Sequence, residues 1–546
     1  MTVGVAGAGR IAVLSVLFAA GAGLLVAFNL VLTSDLSIVA RYSPHDDSLY
    51  TARAVHLFAG EAFGPYDSRL LVKYPGLSLW MAGTRSLGVP FLISIHTLYI
   101  ASGLYLAFAL LKSGASLWLL LIALALYLLN PITYSEDWLR VLREPLDTSL
   151  FVFMVGAMAF VLLRVRDGPA WGHLAVFCAA FAFSMSVREE NRLLWALLAC
   201  FFVALLWRTK SVAALDRRKV VFLVAAVAVP ALLAKACEHV LREFVDKHYG
   251  RPIIHDFGEG EFPRLLAAIR SIESAKDNRL VMVTQERLAK IEREVPAFAP
   301  VAERLPKPGP GTFSCRLHGV CSEWSNGWMA YWLKDSAFDA GLTPSLPGAQ
   351  DYFRRVRTDI ENACAAGRLR CTVNGIEFLP PMELRWTRAY VAEGYRLARM
   401  FLAPELYPKV AVPAIDPPKE VQQMFQVMGI PATAPPSSAT LAGIRAGLVT
   451  PHQIFVGTLL LAALLALALR LWVADRVPLG PIALIGVIVG LYGLLRLATL
   501  AYVAVYLGPF TSRIVFSTYA VAVLIALPFI AETISAWRRA KGAAAA

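Results

Sequence analysis

The chain has 546 residues, of which 57% are hydrophobic and only 17% charged, where a soluble domain carries about a quarter charged residues. Its mean hydropathy of +0.58 excludes an ordinary soluble globule and marks an integral membrane protein. The formal net charge of +13 does not point to nucleic acid, because the cations sit in short turns between apolar runs, with no basic stripe interleaved with aromatics.

Apolar runs of ~20 residues, long enough as helices to cross the bilayer hydrocarbon, fall near 10–33, 90–111, 116–133, 148–164, 171–187, 193–207, 220–236, 451–472, 480–507 and 512–534. The first has no A-x-A cleavage site after it and reads as a retained span. The basic turns lie at Lys112, Arg164 and Arg166, Arg208 to Lys219, Arg470 and Arg476, and Arg538 to Lys541. Short basic loops stay cytoplasmic, so both termini are expected in the cytoplasm. With no N-x-[ST] sequon in the chain, a bacterial inner membrane is the expected location. The expected fold is an all-α polytopic membrane protein of about ten spans, with a mostly α-helical periplasmic domain inserted before the last three. Its modules are 1–236 (seven spans and an outer loop at 34–89), the soluble segment 237–450, and the three-span module 451–546.

The first outer loop, 34–89, carries two adjacent carboxylates, Asp46 and Asp47, behind His45, with amphipathic patterns near 48–60 and 76–84. A carboxylate at a membrane mouth suits a general base for a hydroxyl nucleophile; the plain alternative is a helix N-cap, which needs only one Asp. Lys73, in a Lys-Tyr-Pro turn, suits a compact counter-charge for a lipid phosphate, or simple snorkelling.

The next two outer loops are dense in both signs: Glu136, Asp137, Arg140, Arg143 and Glu144, then Arg188, Glu189, Glu190 and Arg192. They read either as the polar floor of an active site or as salt bridges tying span ends together. Arg143 and Arg188 are the preferred phosphate ligands among them, and Glu136, Asp137 and Glu189 are secondary site candidates.

Segment 237–450 shows helical patterns near 262–295, 350–366 and 383–403, broken by PKPGPG at 306–311 and by Pro-rich stretches near 412–418 and 432–437. Trp324, Trp328 and Trp332 share one helical face and read as core ahead of a sugar-stacking platform. Cys315, Cys321, Cys364 and Cys371 are expected as disulfides 315–321 and 364–371, since the C-x-x-C spacing of a zinc site is missing. Cys178, Cys200 and Cys237 lie in or beside spans as small apolar groups. Near the C-terminus, Arg496 is buried in the ninth span, and Arg513 opens the tenth, where its guanidinium can fork onto a phosphate.

No Walker loop and no G-x-G-x-x-G after a strand occur, so any donor is expected to be lipid-linked. No cofactor is firmly implied. A divalent cation bridging Asp46 and Asp47 is the alternative to neutralisation by side-chain cations.

Residues 42–82 resemble the first periplasmic loop of the GT-C superfamily, in particular its protein O-mannosyltransferase and aminoarabinose-transferase branch. The matching residues are H-D-D at 45–47 and K-Y-P-G-L-S-L-W at 73–80, with T-S-R at 511–513 similar to the Arg that starts a late span there. The resemblance implies an inverting glycosyltransferase that takes a sugar from a polyprenyl-phosphate donor, with Asp46 as base and Lys73 near the donor phosphate. The acceptor would be a hydroxyl of a glycan, lipid or protein. The chain departs from the pattern in four ways: Asp47 stands where Glu is common, K-Y-P replaces K-P-P, Ile514 replaces a frequent tyrosine, and the large domain precedes the last three spans. The rival readings are a lipid-linked glycan transporter or flippase, a polysaccharide polymerase or ligase with a diphosphate-linked donor, and a receptor.

Overall fold

The protein is described by a computed structural model covering residues 5–38, 41–209, 217–275, 278–281, 283–372, 382–406, 418–431, 438–474 and 477–545. It is 74% helical, with no strand among the described residues. Nine described helices are long and apolar enough to cross a membrane, which makes this a multi-pass membrane protein.

The fifth expected span, 171–187, forms a shorter helix, Trp171–Ser184, of 14 residues. At 1.5 Å per residue it reaches only about 21 Å, short of the ~30 Å hydrocarbon core. The helix stops because the polar chain after it turns back toward the bundle. The Asn191 amide donates to the Ser184 carbonyl at 2.8 Å and to Asp147 at 2.7 Å, so the charged 187–192 loop lies beside the outer end of the Glu144–Arg164 span.

Glu144–Arg164 is the most enclosed span, with 89% of its central window buried. It packs against Phe91–Lys112, Trp171–Ser184 and the last span, and its sequence is apolar on every side, as a fully surrounded helix requires. Pro145 occupies its first turn together with Glu144 and Asp147. Pro fits there because that N–H has no helical partner, and acids near a helix N-terminus are favoured by its dipole. The peripheral spans instead turn large apolar side chains such as Leu24, Leu232 and Leu465 outward. Exposed Trp118, Trp171 and Trp472 lie near the basic turns, where interfacial tryptophans belong.

Two spans run on beyond membrane thickness, Arg217–Tyr249 with 33 residues and Ala439–Trp472 with 34. Between them, helices Glu261–Ser271, Gln285–Glu294, Asn326–Asp339 and Leu346–Ala365 enclose a second core that includes Phe262, Ile269, Leu333, Phe353 and Ile360. The pattern read as continuous over 262–295 is thus two helices. Thr387–Leu402 does not join that core; Leu397 and Met400 pack on Leu500 and Ala501 of the Pro481–Leu507 span. The Pro-rich stretches near 412–418 and 432–437 lie almost wholly outside the described residues. Cys315 pairs with Cys321 and Cys364 with Cys371, and Cys178, Cys200 and Cys237 are free.

The second core is fastened onto the first outer loop. Asp335 accepts from Ser68 Oγ at 2.5 Å and from Arg69 at 2.7 Å. Buried Lys334 pairs with Asp256, whose amide donates to the Leu71 carbonyl at 3.0 Å. On the other side, the Gly76 amide donates to the Ser186 carbonyl at 2.8 Å, and a Cβ on Gly76 would stand 2.5 Å from that same oxygen. Only glycine allows the Lys-Tyr-Pro turn and the 186–192 loop to approach this closely. Gly76→Ala is therefore expected to destabilise the protein by about 1–3 kcal/mol, the usual cost of overpacking. Thermal unfolding in detergent measures it, and an unchanged midpoint would contradict the close approach.

Candidate active site

The charged loops converge at the outer end of the Glu144–Arg164 helix, and most of their charges are matched there. Asp47, fully buried at the start of helix Asp47–Phe58, accepts from Arg140 at 2.5 and 3.3 Å and from the Val141 amide at 3.2 Å. Both of its oxygens are occupied, and it clamps the first loop to the second. Arg143 is bound to Glu189 at 2.6 Å. Arg188 is bound to Glu190, and to Glu144 at 3.3 Å. Glu136 pairs with Arg41, and Asp137 approaches Arg140 at 4.0 Å. Arg496 faces Asp147 at 3.8 Å and donates to Ser517 at 2.5 Å. Burying a charge beside lipid costs several kcal/mol unless a partner meets it, and these pairs are that compensation. The two arginines singled out as phosphate ligands, Arg143 and Arg188, are thus committed to carboxylates.

Three charged groups keep capacity to spare. Asp46 precedes the helix but makes no side-chain capping hydrogen bond. Its one ion contact among the described residues is Arg513, at 3.5 Å. Arg513 is shared with Glu144 at 3.6 Å, and both separations exceed a good charge-assisted hydrogen bond. Among the described residues the Lys73 ammonium makes no hydrogen bond or ion pair, having only longer-range interactions with Tyr331, Arg143, Glu189 and Asp46. Burial works to lower its pKa, but Tyr331, Glu189 and Asp46 hold it above the ordinary lysine value. Burial raises the Asp46 carboxyl, yet Arg513, Lys73, Arg140 and Arg143 outweigh it and leave the group below the usual 3.8. Asp46 and Lys73 are therefore both charged at neutral pH. Burial instead pushes Asp47 up to about 6, against the pull of Arg140.

Three aromatic residues of the site, Tyr331, Trp328 and His255, lie far from the motifs in sequence. The Asn326–Asp339 helix carries Tyr331 to within 4.0 Å of the His45 ring, centre to centre, and Trp328 to within 6.0 Å. His255 stacks on Tyr74 at 5.1 Å and lies 3.5 Å from Glu189. Of the tryptophan face, Trp324 is core and Trp332 packs against that core, so Trp328 is the member that reaches the site. His45 Nδ1 is buried without a hydrogen-bond partner. Burial, with Arg69 adding to it, lowers the ring from 6.5 to about 4. No group of three or more His, Cys, Asp or Glu suited to holding a metal occurs among the described residues. Of the proposed ion-bridging pair, Asp47 has both oxygens taken up by Arg140, and the residues present do not fit a bridging cation.

No protein-family model and no curated protein matches the chain. Two solved structures are similar to it, both of ArnT from Cupriavidus metallidurans. The apo structure is 14% identical over 89% of this chain and 77% of its own, with a TM-score of 0.29. The structure bound to undecaprenyl phosphate is 14% identical over 94% and 77%, with a TM-score of 0.28. At that distance the reading of the site rests on its own residues.

Asp47→Ala leaves Arg140 without its buried partner and is expected to cost about 3–5 kcal/mol. Asp46→Ala loses a single long contact and costs under about 1 kcal/mol; equal losses in denaturant titrations would refute the division of labour between the two acids. His45 gives a pH signature. Its folded pKa lies below that of the unfolded chain, so its contribution is complete above 6.5 and drains away as pH falls to about 4. His45→Phe should lose less stability than the parent between those limits, and parallel melting-versus-pH curves would contradict the assignment.

Proposed function

We propose that the chain is a membrane glycosyltransferase that moves a sugar from a polyprenyl-phosphate donor to an acceptor hydroxyl, with inversion at the anomeric carbon. The observation that carries this reading is the spare capacity at one point of an otherwise matched charge cluster. Lys73 is an unpaired ammonium, Asp46 is a carboxylate not used for capping, and Arg513 is loosely shared between Asp46 and Glu144. The motif resemblance at 45–47, 73–80 and 511–513 falls on these same three residues.

In this reading the donor phosphate lies between Lys73 and Arg513. The acceptor oxygen forms its bond to the anomeric carbon as the bond from that carbon to the phosphate oxygen breaks. The bonding pair leaves with the lipid phosphate, where cations already in place meet the added charge. The acceptor proton passes to Asp46. A carboxylate held below its ordinary pKa is a weak base, so Asp46 orients the hydroxyl and takes the proton late. A phosphate leaving group needs no strong protein acid. Asp47, Arg140, Arg143, Glu189, Arg188 and Glu190 hold the loops that carry these groups, and His45 and Tyr331 border the sugar side. Catalysis is assigned to the outer, periplasmic face, with both termini cytoplasmic, on the strength of the basic turns at the opposite ends of the spans.

Asp46→Asn is expected to lower turnover by about 10²–10⁴-fold, the range for loss of a general base, with the melting midpoint preserved. Lys73→Ala should weaken donor binding as well. Sugar release from a polyprenyl-phosphate donor, followed in purified protein, measures both; near-parental turnover in Asp46→Asn would sink the proposal.

A further inference from the structure

Tyr50 lies in the first turn of the Asp47–Phe58 helix with its backbone engaged on both sides. Its amide donates to the Asp46 carbonyl at 3.0 Å, and its carbonyl accepts from Ser78 Oγ, also at 3.0 Å. The side chain is 0% exposed, yet its hydroxyl makes no hydrogen bond among the described residues. A buried phenol ordinarily finds a partner for its O–H, and leaving one unbonded opposes folding. Tyr99 and Tyr127, buried as deeply, follow that rule: each donates to the other's carbonyl, at 2.7 and 3.1 Å.

The surroundings favour an oxygen acceptor. The Arg143 guanidinium stands 5.9 Å from the centre of the Tyr50 ring. Arg53, further along the same helix, donates to the Lys73 carbonyl at 3.0 Å and also to the Leu70 carbonyl. Tyr50 is in electrostatic reach of both, the arginine that grips Glu189 and the one that holds the Lys-Tyr-Pro turn. It shares three electrostatic neighbours with the Lys73 ammonium, namely Asp46, Arg143 and Glu189, so the two groups border the same part of the site. The two carboxylates among them already face arginines, Asp46 facing Arg513 and Glu189 facing Arg143. Burial holds the phenol pKa well above its ordinary 10, which keeps the hydroxyl a donor at neutral pH.

We infer that the Tyr50 hydroxyl is a binding group of this site and donates a hydrogen bond to a phosphate oxygen of the lipid donor, alongside Lys73. The inference rests on the phosphate-linked donor proposed above and adds a contact to it. A hydrogen bond to a charged oxygen is roughly twice as strong as one to a neutral oxygen, so the contact favours a phosphate over an alcohol.

The test is Tyr50→Phe, which deletes one oxygen and keeps the ring, in the full chain in detergent. Two readouts are expected to move in opposite directions. Without ligand, the melting midpoint rises, because an unbonded buried hydroxyl has been removed. Farnesyl phosphate, a short polyprenyl monophosphate, binds the variant about tenfold or more weakly in calorimetric titration, the scale of a hydrogen bond to a charged group. Farnesol binds parent and variant alike. A purely structural role would not weaken the phosphate alone while the ligand-free protein became more stable. A ligand-free midpoint that fails to rise would place the hydroxyl's partner inside the protein. A smaller loss for farnesyl phosphate, or an equal loss for farnesol, would show that the phosphate is not its partner. Each of these overturns the inference and leaves the phosphate-linked donor standing. If the parent itself binds farnesyl phosphate no more tightly than farnesol, the donor assignment falls, and the Tyr50 contact falls with it.

Discussion

A charge moved out of water beside lipid has to be met by another charge or lost to protonation, and that constraint organises the outer end of this protein. The Glu144–Arg164 helix is sealed on all sides, so the loops gathered at its start have little solvent to neutralise them. They neutralise one another: Arg140 on Asp47, Arg143 on Glu189, Arg188 on Glu144 and Glu190. The Arg140–Asp47, Arg143–Glu189 and Arg188–Glu144 pairs cross between segments, so they also fix the loops in place. Against such thorough pairing, Lys73, with no ion-pair partner among the described residues, and Asp46, with only a long contact, stand out.

That same constraint explains what could be read from the sequence and what could not. The hydropathy runs located the membrane helices, because burial in lipid demands long apolar segments whatever the fold. That Asp46 and Lys73 are candidates was legible, because a fixed local spacing carries them. The roles of Arg143 and Arg188 were not, since an arginine in a charged loop looks the same whether it awaits a phosphate or already holds a glutamate; only the partner's position distinguishes them. Trp171–Ser184 is shorter than the 171–187 run for a related reason. The run was apolar enough, but Asn191 and Asp147 drew the following loop inward and ended the helix early.

Tyr331 and Trp328 were the least accessible to sequence reasoning. Their spacing marked a helical face, and core was the sound default for it. The helix instead divides that face, burying Trp324 and turning Trp328 toward His45. Nothing within the helix encodes this; it follows from the ion pairs of Asp335 and Lys334 with residues distant in sequence, which set the roll of the helix over the first loop.

The Asp335 contact with Arg69 joins positions 266 residues apart. During synthesis the first loop is made early, while the helix that covers it emerges only after the five membrane-length helices between Phe91 and Tyr249 have been made. Until then Asp46 and Lys73 are exposed without their aromatic neighbours. The order of translation thus leaves the first loop unfastened in a half-made chain, and docking of the Asn326–Asp339 helix is the step that closes it over.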